Sequence, residues 1–141
     1  MNNKTIIISP LKFIKLIKFL NLTGFSEYKL KQVKSEKLIQ DELILITAPD
    51  GNLFVNMQSF QKWCISNQPD VSIEFITTGL SIITANLYAE ISGYSIKAIK
   101  RKIEDGVWNT QLAFRAPNAE IMVNINSVEK WIISKYSKEI R

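Results

Sequence analysis

Histidine is absent from this 141-residue sequence, and cysteine occurs once, as Cys64. Without imidazole the chain lacks the usual general base and the commonest metal ligand. A single thiol excludes an internal disulfide and a cysteine-rich zinc site. We therefore expect no metal, no cofactor and no enzyme activity, because nucleophile, base and metal ligands do not occur together. Cys64 directly follows Trp63, where we expect a buried thiol.

Long hydrophobic runs are also missing, and no stretch reaches the length that spans a bilayer. The first ten residues lack the hydrophobic region and cleavage site of a secretory signal. These absences predict a cytoplasmic protein with no membrane partner. Residues 11–22 place lysines on one helical flank and apolar side chains on the other. Such a helix lies on a membrane surface or packs on a core, and its place at the start of a repeat favours core packing.

The composition is that of a globular basic protein, with 46% hydrophobic and 22% charged residues and a net charge of +5. Residues 1–70 carry nine basic and six acidic groups, and residues 71–141 carry nine and seven. The positive charge is therefore shared by both halves. A basic surface attracts polyanions, and nucleic acid is the commonest of these inside a cell. A basic protein that is merely soluble is the alternative.

The strongest signal is an internal duplication. Nine residues recur at a constant offset of 68: Ala48, Pro49, Val55, Asn56, Ser59, Lys62, Trp63, Ile65 and Ser66 reappear as Ala116, Pro117, Val123, Asn124, Ser127, Lys130, Trp131, Ile133 and Ser134. Upstream, Gly24 and Ser26 reappear as Gly93 and Ser95 at an offset of 69. The chain is therefore predicted to be a tandem repeat with a one-residue length change inside it.

Each copy shows the same order of local signals. In the first, the pattern predicts a strand at 5–8, helices at 11–22 and 27–38, a hairpin with strands 43–47 and 53–56, and a helix at 57–65. Ser9-Pro10 would start the first helix, and Asp50-Gly51 marks the hairpin tip.

The second copy predicts a helix at 85–91 capped by Thr84, a turn at Gly93, and a helix at 96–105 capped by Ser95. A hairpin then begins at Val107-Trp108 and turns at residues 116–119. Ser127 would cap the last helix, which buries Val128, Trp131 and Ile132. Trp63, Trp108 and Trp131 are expected to anchor the core rather than stack on bases.

Together these signals predict an α+β chain of two tandem winged helix-turn-helix units, each with two helices, a β-hairpin wing and a C-terminal helix. The predicted boundaries are 1–67 for the first unit, 68–73 for a linker and 74–141 for the second unit. The chain would be a monomer with pseudo-dimeric halves, or a weak oligomer on DNA.

Several motifs of the second copy resemble the winged-helix excisionases of bacteriophages and other mobile elements. They are the Ser-Gly-Tyr-Ser turn (92–95), Lys100-Arg101-Lys102, Gly106-Val107-Trp108, Ala116-Pro117 and Val123-Asn124 leading into Trp131. The resemblance covers most of the second copy, and residues 15–65 share it more weakly. It implies a recombination directionality factor that binds and bends double-stranded DNA at an attachment site. It also implies contact with a site-specific integrase, which is thereby steered toward excision.

The second helix of a helix-turn-helix enters the major groove, which assigns candidate contacts. Arg101 is expected at a guanine edge, because its planar fork bonds two acceptors. We expect phosphate contacts from Lys97, Lys100 and Lys102. Ser95 would cap the helix and leave its N-terminal amides facing a further phosphate. Arg115 would enter the minor groove. In the first copy the candidates are Lys29, Lys31, Lys34 and, near the wing tip, Asn52. For any single lysine, an ordinary solvated position is the alternative.

Two other functions fit the same residues. A winged-helix transcriptional regulator would use the same contacts at a promoter. A protein-binding module would result if one copy no longer bound DNA, which the apolar stretch 13–22 favours. Two carboxylate pairs could suggest a metal or acid/base site, namely Asp41-Glu42 and Glu104-Asp105. No further metal ligand lies beside either pair in sequence, so we expect surface charges.

Overall fold

The computed structural model describes residues 3–9, 11–28, 44–65, 70–77 and 81–137. Within these ranges the chain has an α+β fold of eight strands and six helices. The strands are β1 (Asn3–Ser9), β2 (Phe13–Lys15), β3 (Leu45–Thr47), β4 (Leu53–Asn56), β5 (Val71–Thr77), β6 (Ile82–Thr84), β7 (Ala113–Arg115) and β8 (Ile121–Asn124). The helices are α1 (Leu16–Thr23), α2 (Met57–Cys64), α3 (Ala85–Ser92), α4 (Ile96–Glu104), α5 (Ile125–Ile132) and α6 (Ser134–Ser137).

The same arrangement of strands occurs twice. One three-stranded antiparallel sheet has the order β2-β4-β3, and the other has the order β6-β8-β7. In both, the hairpin's second strand lies in the centre and leads directly into a helix, α2 or α5. Helices α1 and α3 begin 69 residues apart, whereas β4 and β8 begin 68 apart. The repeated strand order and the one-residue difference in spacing agree with the duplication inferred from the sequence.

Aromatic residues fill the centre of each copy. Phe19 and Phe60 meet edge to face at 4.7 Å between ring centroids in the first. In the second, Trp108 is 1% exposed and contacts the rings of Tyr88, Tyr94 and Trp131. The tryptophans act as core residues, as predicted: Trp108 is buried, and Trp63 and Trp131 pack partly buried against the core. Burial of each such ring contributes roughly 2–3 kcal/mol.

The first predicted helix begins later than the sequence pattern indicates. Phe13–Lys15 form β2, which pairs with β4, and the helix starts at Leu16 after the extended residue Lys15 rather than after Ser9-Pro10. Pairing with a central strand satisfies backbone groups that a longer helix would have bonded within itself. The helical spacing of residues 11–22 did not reveal this, because the pairing partner lies about forty residues further on.

Two other boundaries differ in the second copy. Val107-Trp108 lies in a bend rather than a strand, and β7 begins at Ala113, because the Trp108 backbone N–H donates to the Lys102 carbonyl oxygen of α4 and not to a neighbouring strand. The last large helix is capped by Asn124, not Ser127: the Asn124 side chain accepts a hydrogen bond from the Ser127 backbone N–H at 3.2 Å. Asn56 caps α2 in the same way. Cys64, expected to be buried, is exposed.

The start of each copy contributes one strand to a separate two-stranded sheet. β1 contains the predicted strand 5–8 and pairs in parallel with β5, from Asn3 opposite Val71 to Ser9 opposite Thr77. The paired positions are 68 residues apart, which is the offset of the hairpins. β5 includes residues 71–73 of the predicted linker. Most of the predicted helix 27–38 lies outside the described residues.

The two hairpin tips provide a matched pair of stability tests. Gly51 and the equivalent Ala119 have φ values of 85° and 73°, a left-handed conformation that costs an alanine about 1 kcal/mol. No atom lies within 4 Å of a Cβ built on Gly51, so an alanine there would meet no steric clash and would cost only the backbone strain. We expect Ala119→Gly to raise, and Gly51→Ala to lower, the free energy of unfolding by about 1 kcal/mol. Urea denaturation measures both, and changes of equal sign would contradict this account.

Candidate nucleic-acid interface

The turn between α3 and α4 is built from short local hydrogen bonds. Gly93 ends α3 with a φ of 98°, and the backbone N–H of Tyr94 donates to the Ser92 hydroxyl at 3.2 Å. The Ser95 side chain accepts from the Ala98 N–H at 3.0 Å, so Ser95 caps α4 as predicted. This turn determines the direction in which α4 leaves the core.

Helix α4 has one buried and one charged face. Ile99 is fully buried, and Ile96 and Ile103 pack against the core. Three cations lie on the outer side and are exposed, namely Lys97, Lys100 and Arg101. Among the residues that the structure describes, none forms an ion pair with these three. The outer face of α4 therefore carries three accessible cations, and the exposed carboxylates of Glu104 and Asp105 line the same surface at the end of the helix.

Lys102 does not belong to this face. Its Nζ lies 2.9 Å from Oδ2 of Asp50 at the tip of the first hairpin, and it sits 5.2 Å from the centroid of the Tyr94 ring. The Lys102 side chain is only 15% exposed. Lys102 was predicted to contact phosphate, but it instead forms an ion pair that joins the two copies.

Asp50 accepts hydrogen bonds from both copies. The Tyr94 hydroxyl donates to Asp50 Oδ2 at 2.6 Å, and the Asn52 side-chain amide donates to the same oxygen at 2.7 Å. Burial alone would raise the pKa of Asp50, but the hydrogen bonds from Tyr94, Lys102 and Asn52 outweigh it and lower that pKa. Asn52, predicted to contact DNA, instead orients this carboxylate.

Further contacts join the copies around this cluster. The Lys12 N–H donates to Glu129 Oε2, and the Thr47 N–H donates to the Tyr136 hydroxyl, both at 2.9 Å. Burial raises the pKa of Glu129, although hydrogen bonds from two backbone N–H groups oppose the rise. A Cβ on Gly93 would lie only 2.9 Å from the Lys18 Cβ, so the backbones approach closely. The first hairpin is thus held against the second copy.

The second hairpin is free of such contacts among the described residues. Arg115 is exposed, and its Nη1 donates to the Ala119 carbonyl oxygen at 2.9 Å. Lys100 and Arg115 both line a cavity of about 200 Å³ between α4 and this hairpin, together with Asn86 and Glu120. Two of the predicted cations, one from each element, are therefore brought to one site.

The first copy's predicted contacts Lys29, Lys31 and Lys34 lie outside the described residues. Sequence reasoning missed Asn86, which lines the cavity from α3, and it missed the role of Asp50. Asp50 corresponds to Asn118 and Tyr94 to Phe25, so the carboxylate and the hydroxyl are each present in only one copy. Because most positions differ between the copies, these two differences did not by themselves indicate a contact.

Comparisons with family models, curated proteins and solved structures found no match. In the described ranges, no helix combines the length and apolar character needed to cross a bilayer. In the same ranges, no group of three or more histidine, cysteine, aspartate or glutamate residues is placed to hold a metal ion.

The Asp50 cluster predicts a specific pH dependence of stability. A carboxylate whose pKa is lowered by folding stabilises the protein above the pKa of the unfolded chain. That contribution is lost as the pH falls through the lower pKa of the folded state. We expect Asp50→Asn to lower the free energy of unfolding by about 2 kcal/mol at pH 7, with the difference from the unmodified protein shrinking below about pH 4.

Urea denaturation between pH 2.5 and 7 measures this difference. Asp70→Asn is the matched control, because Asp70 is exposed and the substitution removes the same charge. A loss of stability at Asp50→Asn no greater than at Asp70→Asn would show that the carboxylate does not join the copies.

Proposed function

We propose that this chain binds double-stranded DNA through winged helix-turn-helix units, with α4 of the second copy in the major groove. The observation that supports the proposal is the exposed face of α4, where Lys97, Lys100 and Arg101 have no ion-pair partner among the described residues. In this arrangement α3 crosses the DNA backbone, and the β7–β8 hairpin is the wing.

Each cation of the second copy has a distinct role in this proposal. Lys97 and Arg101 lie one helical turn apart and face the groove together. Arg101 bonds the O6 and N7 acceptors of a guanine, and Lys97 pairs with a phosphate. Ser95 caps α4 at the end where the helix dipole and free amides favour a further phosphate.

The cavity between α4 and the wing extends the contact. Lys100 and Arg115 line it from opposite elements, and both are exposed. Lys100 would pair with a backbone phosphate beside the wing and fix its register, and the Arg115 guanidinium would lie at the minor groove. Glu120 lines the same cavity, and its carboxylate opposes an anion placed beside it.

More specifically, we propose that the chain is an excisionase, which is a recombination directionality factor of a bacteriophage or mobile element. The sequence resemblance supports it, and so does the joint between the copies. Two DNA-binding units held in one orientation by the Asp50 cluster would impose a bend on DNA that contacts both. Contact with an integrase then directs recombination toward excision.

Removing two cations from α4 tests DNA binding. We expect Lys97→Ala together with Arg101→Ala to weaken binding by at least about 10-fold and to reduce the slope of log K against log salt by about one to two. Gel shifts at two or more salt concentrations measure both quantities. Lys130→Ala is the control for a single lost charge, because Lys130 is exposed on α5. If the double variant and Lys130→Ala weakened DNA binding equally, α4 would not be part of the DNA interface.

A plasmid excision assay distinguishes the excisionase from a transcriptional regulator with the same fold. With an attachment-site plasmid and its integrase, we expect the protein to increase excised product at least about 10-fold, and the α4 variant to lose this effect. DNA binding without any stimulation of excision would favour the regulator.

Protein binding by the first copy is the second candidate function. A cavity of about 310 Å³ is lined by Leu11, Ile14, Leu22, Met57 and Ile91, with Lys18 and Glu90 beside them. Ile17 and Leu22 on α1 are 61% and 64% exposed. Absence of DNA binding by the unmodified protein would favour this function over the first.

A further inference from the structure

The turn that leads into α4 is partly enclosed by the first copy. Tyr94 lies in this turn, immediately before the capping residue of α4, and is 2% exposed. Its ring packs on Phe54 of β4 with 5.6 Å between the ring centroids, and the Nζ of Lys15 in β2 lies 5.0 Å from the centroid of the Tyr94 ring. Both neighbours belong to the first copy. The start of α4 is therefore held by residues of the other repeat.

Asp50 holds the same helix near both of its ends. Oδ2 of Asp50 accepts from the Tyr94 hydroxyl, two residues before α4, and pairs with the Nζ of Lys102, which lies in the last turn. Both attachments are charge-assisted, which makes them stronger than hydrogen bonds between neutral groups. One carboxylate of the first copy thus braces the turn after α3 against the far end of α4. It thereby restricts the direction of α4 relative to α3.

The equivalent residue of the first copy lacks this hydroxyl. Phe25 corresponds to Tyr94, and its ring packs on Phe60 and Trp63 of its own copy. A phenylalanine is thus sufficient for the core at this position of the repeat. The hydroxyl of Tyr94 adds the hydrogen bond to Asp50. Tyr94→Phe therefore removes one attachment with little change in packing.

We propose that Asp50, Tyr94 and Lys102 are positioning residues for DNA binding, through which the first copy sets the affinity of α4 for DNA. This role rests on the proposed function, because it concerns the helix assigned to the major groove. None of the three contacts DNA. They act through Lys97 and Arg101, the exposed cations whose placement follows the direction of α4.

Hydrogen bonds to bases tolerate little displacement. Donor and acceptor must lie about 2.7–3.2 Å apart and nearly in line, and the paired bonds from Arg101 to guanine need two such distances at once. In the proposed arrangement α3 and the wing fix where the second copy lies on DNA. If α4 tilts relative to α3, Arg101 leaves its acceptors although no residue at the interface has changed.

The sign of the effect separates positioning from charge. Asp50→Asn adds one unit of positive charge to a protein of net charge +5 and releases Lys102 from its partner. Both changes attract a polyanion, so charge alone predicts stronger DNA binding. Positioning predicts weaker binding instead. Tyr94→Phe changes no charge, and positioning predicts weaker binding there as well.

Gel shifts of the full chain on two duplexes test the proposal. One duplex is enriched by selection from a random pool with the unmodified protein, and the other is an unselected sequence of the same length. We expect Asp50→Asn and Tyr94→Phe each to weaken binding to the selected duplex at least about 5-fold. The double variant should add little, because both changes disrupt one brace. Binding to the unselected duplex rests on charge and should not weaken.

Two controls match these variants. Asp70→Asn makes the same change of charge at an exposed position. Tyr136→Phe removes another hydroxyl that joins the copies, but at β3 instead of α4. We expect both controls to bind the selected duplex within about 2-fold of the unmodified protein, because distant exposed charges are screened by salt. Circular dichroism establishes that each variant is folded.

The proposal is overturned if Asp50→Asn strengthens binding to the selected duplex, or if both test variants lose affinity for the two duplexes equally, as a loss of folded protein would cause. Control effects as large as those of the test variants would also overturn it, as would a pool from which no sequence is enriched. Failure of the unmodified protein to bind either duplex would refute the proposed function and this role together, whereas the other outcomes refute this role alone.

Discussion

The relative position of the two copies depends on a carboxylate that is largely withdrawn from water. Removing a charge from solvent is costly unless other groups replace the lost hydration. Asp50 meets this requirement with the Tyr94 hydroxyl, the Lys102 ammonium and the Asn52 amide, all within 2.9 Å. Because Tyr94 lies two residues before α4 and Lys102 lies within it, the carboxylate also orients the helix that carries the exposed cations. Stability and the candidate interface are thereby coupled.

Duplication has produced two hairpins of one shape with different tasks. The first, turning at Asp50-Gly51, packs on the neighbouring copy, whereas the second, turning at Asn118-Ala119, lies beside exposed Lys100 and Arg115. The tips also differ in charge, since Thr47, Asp50 and Asn52 correspond to Arg115, Asn118 and Glu120. Asn118 makes its hydrogen bonds with Glu120, its near neighbour in the chain, and leaves the turn at the surface. Equivalent elements in a tandem repeat thus need not have equivalent partners.

Features with local signals were predictable from sequence, and those that depend on distant partners were not. The hairpin tips, strand 53–56, the αL turn at Gly93 and the Ser95 cap each follow from a few adjacent residues. Strand β2 was missed because β4, its partner, follows the second predicted helix. The candidate site was likewise predictable in part: its local features could be read from sequence, and its contact with the other copy could not. Periodicity placed Lys97, Arg101 and Lys102 outward and Lys100 at the boundary. Lys97 and Arg101 are exposed as expected, but so is Lys100, and nothing local to α4 revealed that Lys102 would meet Asp50.

The parallel pairing of β1 with β5 has a consequence for the way the copies are connected. The strand that opens the first copy pairs with the strand that precedes the second three-stranded sheet, from Asn3 opposite Val71 to Ser9 opposite Thr77. Neither strand forms this sheet without the other. The pairing therefore joins the copies at a second place, besides the Asp50 cluster at the first hairpin tip.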